Sequence, residues 1–395
     1  MRILFLSAWF PYPANNGSKL RIYNLLRGLA PHHDITLLSF ADQPDINPHV
    51  PEIRQLCAQV EVVPVRYFDP RSLRARLGFF SPKPRSVIDT FSAEMAACIT
   101  KTLRARDYDL IIASQTRMAG YAPYFEGVTA VFEEVEVGIL YEDYVQARSL
   151  AQRLRHGLTW AKHRYYLRGL LSFFRACTIV SEPERELFRR QVADDVAQLV
   201  VIPNCLDVTA YRPFFTEPQP GTLVYTGSFS YFPNHEAMVW FINQVLPLVQ
   251  AEVPEVKLTI TGNRAGRPLP PSPHVQHVGF VDDVRPYVAG SWISLAPIWT
   301  GGGTRLKILE AMALRTPVVA TSKGAEGIEA VPGQHLLIAD TPQEFAAAVL
   351  RLFHDAALRE HLAENAYQLV CERYDWTAVT PHFLNLLNSL HDTPH

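Results

Sequence analysis

Cysteine is scarce in this sequence, and nothing in its spacing would put it to use. Cys57, Cys98, Cys177, Cys205 and Cys371 are scattered over 395 residues, are odd in number and show no metal-ligand spacing. Neither a disulfide framework nor a zinc site is expected, and the pattern is that of a reduced, cytosolic chain. The 14 histidines show no zinc-like pairing either. No window reaches the roughly 18 apolar residues that a membrane span requires. The apolar run Ile3–Leu6 behind Met1 is too short for a signal peptide, and polar residues follow it. No Gly-x-Gly-x-x-Gly follows the first predicted strand, where Ala8-Trp9-Phe10-Pro11 stands instead, which counts against a nicotinamide-dependent dehydrogenase. Internal repeats and low-complexity segments are also absent.

What is present is an ordinary globular composition, 48% apolar and 19% charged, over a length that suits two domains of about 150 to 200 residues. The net charge of -2 conceals an asymmetry. Residues 1–203 carry 25 Lys/Arg against 21 Asp/Glu, and residues 204–395 carry 12 against 18. A basic half suits nucleic acid, an anionic acceptor or a membrane surface, and composition alone does not choose among them.

Short β-branched runs alternate with helical patterns. Strands are predicted at Arg2–Ser7, Ile35–Phe40, Val60–Val65, Leu110–Ser114, Thr129–Glu133, Thr178–Ser181 and Leu199–Ile202, with helices between most of them, including Leu20–Leu29 and Glu94–Ala105. That alternation predicts a parallel sheet covered on both faces. From Pro203 to Gly221 periodicity stops and prolines accumulate, which reads as a connector between domains. The pattern restarts with strands at Leu223–Thr226, Lys257–Thr261, Ile293–Ala296, Val318–Ala320 and Leu336–Ile338. Helices are predicted at Asn234–Gln250, Thr304–Leu314, Gln343–His354 and Leu358–Arg373, and an amphipathic tail covers Thr377–Leu390. The predicted domains are 1–203, 204–375 and a C-terminal helix in 376–395 that packs back on the first.

The most informative segment runs from Ala296 through Pro-Ile-Trp-Thr-Gly-Gly-Gly-Thr-Arg-Leu-Lys-Ile-Leu-Glu-Ala-Met to Ala313. A strand ends, three glycines follow and a helix begins. Ligands of open α/β sheets bind beyond the C-terminal ends of strands, which is where this loop falls. Gly301–Gly303 let a ligand approach the backbone, and the new helix offers unpaired N–H groups to an anion. Arg305 and Lys307 place cations at a helix start, where they are unfavourable unless an anion is bound.

This segment resembles the nucleotide-sugar signature of the family-4 retaining glycosyltransferases, in a bacterial branch with a Gly-Gly-Gly-Thr-Arg-x-Lys loop. Other stretches resemble the same family in the same order. Asn15-Asn16-Gly17-Ser18-Lys19-Leu20-Arg21 is similar to its N-terminal Gly-rich loop, with Ser18 at the usual second glycine. Pro203-Asn204-Cys205-Leu206-Asp207 is similar to its Pro-Asn-Gly-Val-Asp motif, with Cys205 at the glycine. Val224-Tyr-Thr-Gly-Ser228 followed by Pro233-Asn234, and Gly324-Ala-Glu-Gly-Ile328, resemble its donor-domain turns. The resemblance implies an α/β GT-B fold, with two Rossmann-like α/β/α domains facing across a cleft. It implies transfer of a hexose-type sugar from a nucleoside-diphosphate-sugar to a glycan, lipid-linked or small-molecule acceptor in bacterial polysaccharide biosynthesis. The nucleotide-sugar is a co-substrate, and no cofactor, metal or nucleic acid is implied.

Carried over residue by residue, the family's donor site falls on Gly17, Gly227, Ser228, Gly302, Gly303, Thr304, Arg305, Leu306, Lys307 and Glu310. Asn16 and Glu134 fall on the acceptor side. Of the family's two glutamates, Glu310 matches the second, a ribose contact, while the first position is Gly302, so sugar recognition by a glutamate does not carry over. The usual Arg/Lys pair after the strand ending near Thr226 is replaced by Ser228-Phe229-Ser230-Tyr231, which leaves Arg305 and Lys307 to supply that charge and, with Glu310, to form the catalytic set. Where the family often has a histidine base, the chain reads Ser114-Gln115-Thr116-Arg117; retention by same-face attack needs no strong protein base. Glu133, Glu134 and Glu136 either orient the acceptor or are structural charge. Asp107-Tyr108-Asp109 matches the metal-binding string of another transferase fold but precedes its strand, the wrong end of the sheet. Two alternatives stand beside the transferase: a non-catalytic nucleotide-sugar-binding protein and a sugar-nucleotide epimerase, for which no set of acid/base side chains assembles.

A further stretch, Ala147 to Ala176, holds seven Lys/Arg and no acidic residue, interleaved with Trp160, Tyr165, Tyr166, Phe173 and Phe174. Arg66 to Arg85 adds Leu77, Phe79 and Phe80 among six basic residues. Either these lie on anionic lipid, on the inner face of the membrane, or the aromatics are core and the arginines solvated.

Overall fold

The computed structural model describes residues 1–391 except Pro44, Asp195 and Ala197; residues 392–395 of the expected C-terminal segment lie outside the described residues. Contacts divide the chain into two compact units, one of Met1–Pro203 with the residues from Val379 on, the other of Asn204–Ala378.

The first unit contains β1 (Arg2–Ser7), β2 (Asp34–Ala41), β3 (Gln59–Pro64), β4 (Leu110–Ser114), β5 (Ala130–Glu133), β6 (Ala176–Ile179) and β7 (Leu199–Val201). All are parallel, in the order β3-β2-β1-β4-β5-β6-β7. The central strands β1 and β4 read as nearly unbroken apolar runs because helices cover both faces, and Ile3 to Leu6 and Ile111 to Ala113 are fully buried. One side of the sheet packs with Met95 and Ile99 of the helix Ala93–Ala105, and the other with Trp160 and Leu167 of the helix Leu150–Leu171. The closing helix Trp376–His391 approaches the helix Gly17–Leu29 at Gly28, where a Cβ would stand 2.3 Å from the Thr380 hydroxyl oxygen. Only glycine permits that approach.

The second unit contains β8 (Gln219–Thr226), β9 (Lys257–Thr261), β10 (Val275–Gly279), β11 (Ser291–Ala296), β12 (Val318–Ala320) and β13 (Leu337–Ile338), again parallel, in the order β10-β9-β8-β11-β12-β13. β10 is not among the predicted strands. It is a short edge strand reading Val-Gln-His-Val-Gly, too polar to announce itself. The connector expected over Pro203–Gly221 is, from Asn204 on, part of this unit. Leu206 exchanges backbone bonds with Tyr374 and Trp376, Val208–Phe214 forms a 3-10 helix with Tyr211 buried, and β8 begins at Gln219.

The helix predicted as one run over Asn234–Gln250 is three consecutive segments: Phe232–Trp240, a wide π turn at Phe241–Val245, and Leu246–Glu252. Pro247 has no N–H to continue the ladder. The preceding residue, Leu246, bonds five back to the Phe241 carbonyl, and the wider turn absorbs the defect.

Candidate functional site

In both sheets the strand order reverses beside the first strand, between β1 and β4 and between β8 and β11. Ligands of open α/β sheets bind outside the carboxyl ends of strands at such a point.

In the second unit β8 ends at Thr226 and the chain turns at Gly227, φ +149°. A Cβ there would lie 2.7 Å from Asn234 Nδ2 and 3.0 Å from Lys307 Nζ, so the turn closes under these side chains only because it carries none. Asn234 fastens it. Its Nδ2 donates to the Ser228 carbonyl at 2.8 Å, and its Oδ1 accepts from the Tyr225 hydroxyl at 2.7 Å and from Lys307 Nζ at 3.0 Å. Lys307 Nζ also stands 3.8 Å from the centroid of the Tyr225 ring. Burial, aided by the neighbouring Arg305 and opposed by Glu310, holds the ammonium pKa well below that of an ordinary lysine.

β11 ends at Ala296, and the glycine loop leads into the helix Leu306–Ala313. Gly301 has φ +95°, and a Cβ there would fall 2.0 Å from the Tyr231 hydroxyl oxygen. The helix begins at Leu306 rather than at Thr304, and Arg305 is its N-cap, outside the first turn. The sequence predicts Arg305 at the helix start with Lys307, its charge available to an anion. Its guanidinium instead turns back on the loop and donates to the carbonyls of Thr300, Gly301 and Gly302. The glycine loop leaves these acceptors bare, and the fixed fork of an arginine satisfies several at once. Arg305 therefore shapes the loop that Gly302 and Gly303 form.

Thr304 is buried, yet its hydroxyl has no hydrogen-bond partner among the described residues, and the same is true of Arg305 Nε. No side chain caps the helix start. Buried polar groups are nearly always satisfied, so an orphaned hydroxyl at an uncapped helix start marks a place where a hydrogen-bonding anion fits. One turn on, Glu310 accepts from the Tyr211 hydroxyl at 3.3 Å. Burial pushes its carboxyl up to about 7, against the pull of Tyr211, Lys307 and Arg285. Arg285 is bound through Nε and NH2 to Asp283 at 2.8 Å each and stacks over Phe214 at 4.1 Å.

The first unit has a constellation of its own at the ends of β1, β4 and β5. Gln115 (φ +68°) and Glu134 (φ +57°) both take the left-handed backbone region that residues other than glycine avoid. Gln115 Nε2 donates to Glu134 Oε2 at 2.9 Å, and Trp9 Nε1 donates to Gln115 Oε1 at 3.1 Å. Burial pushes the Glu134 carboxyl up to about 7, while the charge of Arg21 opposes the shift. The neighbouring glutamates separate cleanly. Glu133 is fully buried, accepts from Arg21 Nε and Ser114 Oγ at 2.7 Å each, and is structural; Glu136 is exposed. Asn16 caps the helix Gly17–Leu29, its side chain accepting from Lys19 N at 3.1 Å, and Gly17 is the first helical residue. Asp109 accepts from Arg2 N at 2.6 Å, at the opposite end of the sheet from this cluster. Among the described residues no group of three or more His, Cys, Asp or Glu could hold a metal ion.

Sequence reasoning missed Tyr211, and it met Tyr225, Asn234 and Gln115 only as letters in a motif. Their roles depend on which loops the sheet brings together, which no local pattern carries.

This architecture, and one stretch of the sequence, have likenesses among known proteins. Residues 220–355, from β8 through the glycine loop and Glu310, match the family model for glycosyl transferases group 1. The two parallel-sheet units match the fold of GT-B glycosyltransferases. Sucrose-phosphate synthase from Thermosynechococcus elongatus aligns with a TM-score of 0.70 at 16% identity over 99% of both chains. HepE from Anabaena, solved in complex with UDP-glucose, aligns with a TM-score of 0.68 at 16% identity, over 98% of this chain and 100% of that one. In sequence, 157 residues are 29% identical to an uncharacterized 44.6 kDa protein in the cps region of Klebsiella pneumoniae, a match over 37% of this chain and 40% of that relative's length.

Proposed function

We propose that the chain is a retaining glycosyltransferase that moves a hexose-type sugar from a nucleoside-diphosphate-sugar to a glycan, lipid-linked or small-molecule acceptor, without a metal or a further cofactor. The observation that carries this reading is the orphaned Thr304 hydroxyl at an uncapped helix start, beside the Lys307–Asn234 clamp, within the segment that matches the transferase family.

In this reading the diphosphate meets the Thr304 hydroxyl, the first N–H groups of the helix from Leu306, and Lys307. As the anomeric C–O bond breaks, negative charge builds on the leaving phosphate, and these fixed donors stabilise it. Gly227 and Ser228 face the same ligand from the β8 turn, with Glu310 on the ribose. In the first unit Asn16 and Glu134 are read as acceptor-side residues, and Gly17 as a donor contact. There Glu134, oriented by Gln115, holds an acceptor hydroxyl. The relative in a cps region supports a glycan as acceptor.

Thermal-shift measurements against nucleoside diphosphates and their sugars test the reading. UDP-glucose comes first because HepE was solved with it. A donor at 100 times its Kd stabilises the fold by about 2.7 kcal/mol. Hydrolysis of labelled donor without acceptor then separates an enzyme from a binding protein. No shift with any donor overturns the proposal, and a shift without turnover leaves only binding.

A further inference from the structure

The helix Leu150–Leu171 is apolar on two opposite sides. Trp160, His163, Tyr166, Leu167 and Leu170 are buried. Leu150, Leu154, Leu158 and Tyr165 are 76%, 68%, 43% and 68% exposed. At about 100° per residue these four fall within a quarter of the circumference, facing away from the buried set. Arg153 and Arg164 flank the stripe on one side, Arg155 and Lys162 on the other, and the helix has no acidic residue. Lys162 ties the stripe to a second apolar ledge, its Nζ donating to the Phe79 carbonyl at 2.5 Å and standing 5.3 Å from that ring.

The ledge is the segment Leu73–Phe80, in which Leu73, Leu77, Phe79 and Phe80 are 70%, 62%, 52% and 87% exposed among Arg71, Arg74, Arg76 and, just beyond, Lys83. Its shape is held from beneath. Arg85 donates to the Ala75 carbonyl at 2.7 Å, and Arg74 donates to the Ile88 carbonyl at 2.9 Å. Of the acidic groups nearby, Asp89 is fully buried and bound to Ser72, Asp69 N and Arg66, while Asp69 is exposed and Asp143, half exposed, lies 3.9 Å from His156. Of the aromatics singled out in the sequence, Trp160 and Tyr166 are core, while the leucines of the stripe went unnoticed.

We propose that the stripe and the ledge form one docking surface for an anionic lipid bilayer. Large side chains left in water cost free energy that insertion among acyl chains recovers, and flanking cations at headgroup level give the surface its preference for negative charge. A protein partner would have to match both an apolar strip and a ring of cations, whereas an anionic bilayer presents both at every point. Among the described residues no helix is long and apolar enough to cross a membrane, so the contact is with one leaflet. The proposal is independent of the transferase reading, since lipid binding is measured without donor or acceptor.

The test is flotation of the full chain with vesicles of phosphatidylcholine containing about a third phosphatidylglycerol, against pure phosphatidylcholine. Recovery is expected with the first and not the second. Replacing Leu77, Phe80 and Leu154 together by Glu should lower recovery at least tenfold with thermal melting unchanged, because all three are exposed. Equal recovery from both vesicles, no recovery from either, or binding by the variant equal to the parent overturns the proposal. So does concentration-dependent self-association that the same variant abolishes, which would make the surface an interface between two copies of this chain.

Discussion

Lys307 and Glu310 are held on one helix in opposite departures from their ordinary ionisation, one pushed down and the other up. Both arise because burial penalises charge, and a diphosphate arriving at Lys307 sets an opposite charge beside its ammonium. Lys307→Ala should lower kcat about 10²-fold while raising donor KM less, since the charge acts mainly as the leaving group departs. Steady-state kinetics with the donor found by thermal shift reads this. Near-parent values of both constants would remove Lys307 from the mechanism.

Glu310 carries a pH consequence. Its folded pKa of about 7 lies above the ordinary 4.5, so the protonated carboxyl contributes stability in full below 4.5, and that contribution is lost as pH rises through 7. Glu310→Gln cannot ionise. The variant should match the parent in stability near pH 4.5 and exceed it by on the order of 2 kcal/mol above pH 7. Urea unfolding at several pH values measures the difference, and a constant difference across the range would show that Glu310 ionises freely in the folded chain.

At the scale of elements, twelve of the thirteen described strands overlap those that alternation with helices predicts, because strands buried in a parallel sheet are mostly apolar. The missing one, β10, sits at an edge and is exempt from that demand. The glycine loop was legible as the turn from a strand into a helix, since three consecutive glycines break both patterns. The direction of Arg305 was not. Whether a cation at a helix start faces a ligand or its own loop depends on carbonyls that the glycines expose, and their orientation follows from backbone angles at Gly301 and Gly303. The left-handed pair Gln115 and Glu134 was equally hidden. Neither residue type predicts that conformation, and strain of this kind is tolerated where the surroundings enforce it. The exposed stripe of Leu150–Leu171 escaped for a related reason: a helix apolar on two faces shows no single hydrophobic side in its sequence.

At the scale of the whole molecule, two sheets that share one order over six strands, the first with a seventh at its edge, are built from one chain, and each has its own core. The chain makes the second of them in a single stretch but composes the first from both its ends, with Thr380 closing against Gly28. On a ribosome the order of completion is then reversed. The first unit lacks its last helix for as long as residues 204–378 are being made, and at roughly 5–20 residues per second that interval lasts on the order of ten to thirty seconds. The bed of the last helix along Gly17–Leu29 stays uncovered meanwhile, an opportunity for chaperones or for mispairing. Arrested nascent chains with residues up to Ala378 outside the tunnel should be cleaved by protease within 1–203, and this cleavage should fade once residue 391 has emerged. Equal resistance at both lengths would mean that the first unit closes without waiting for its final helix.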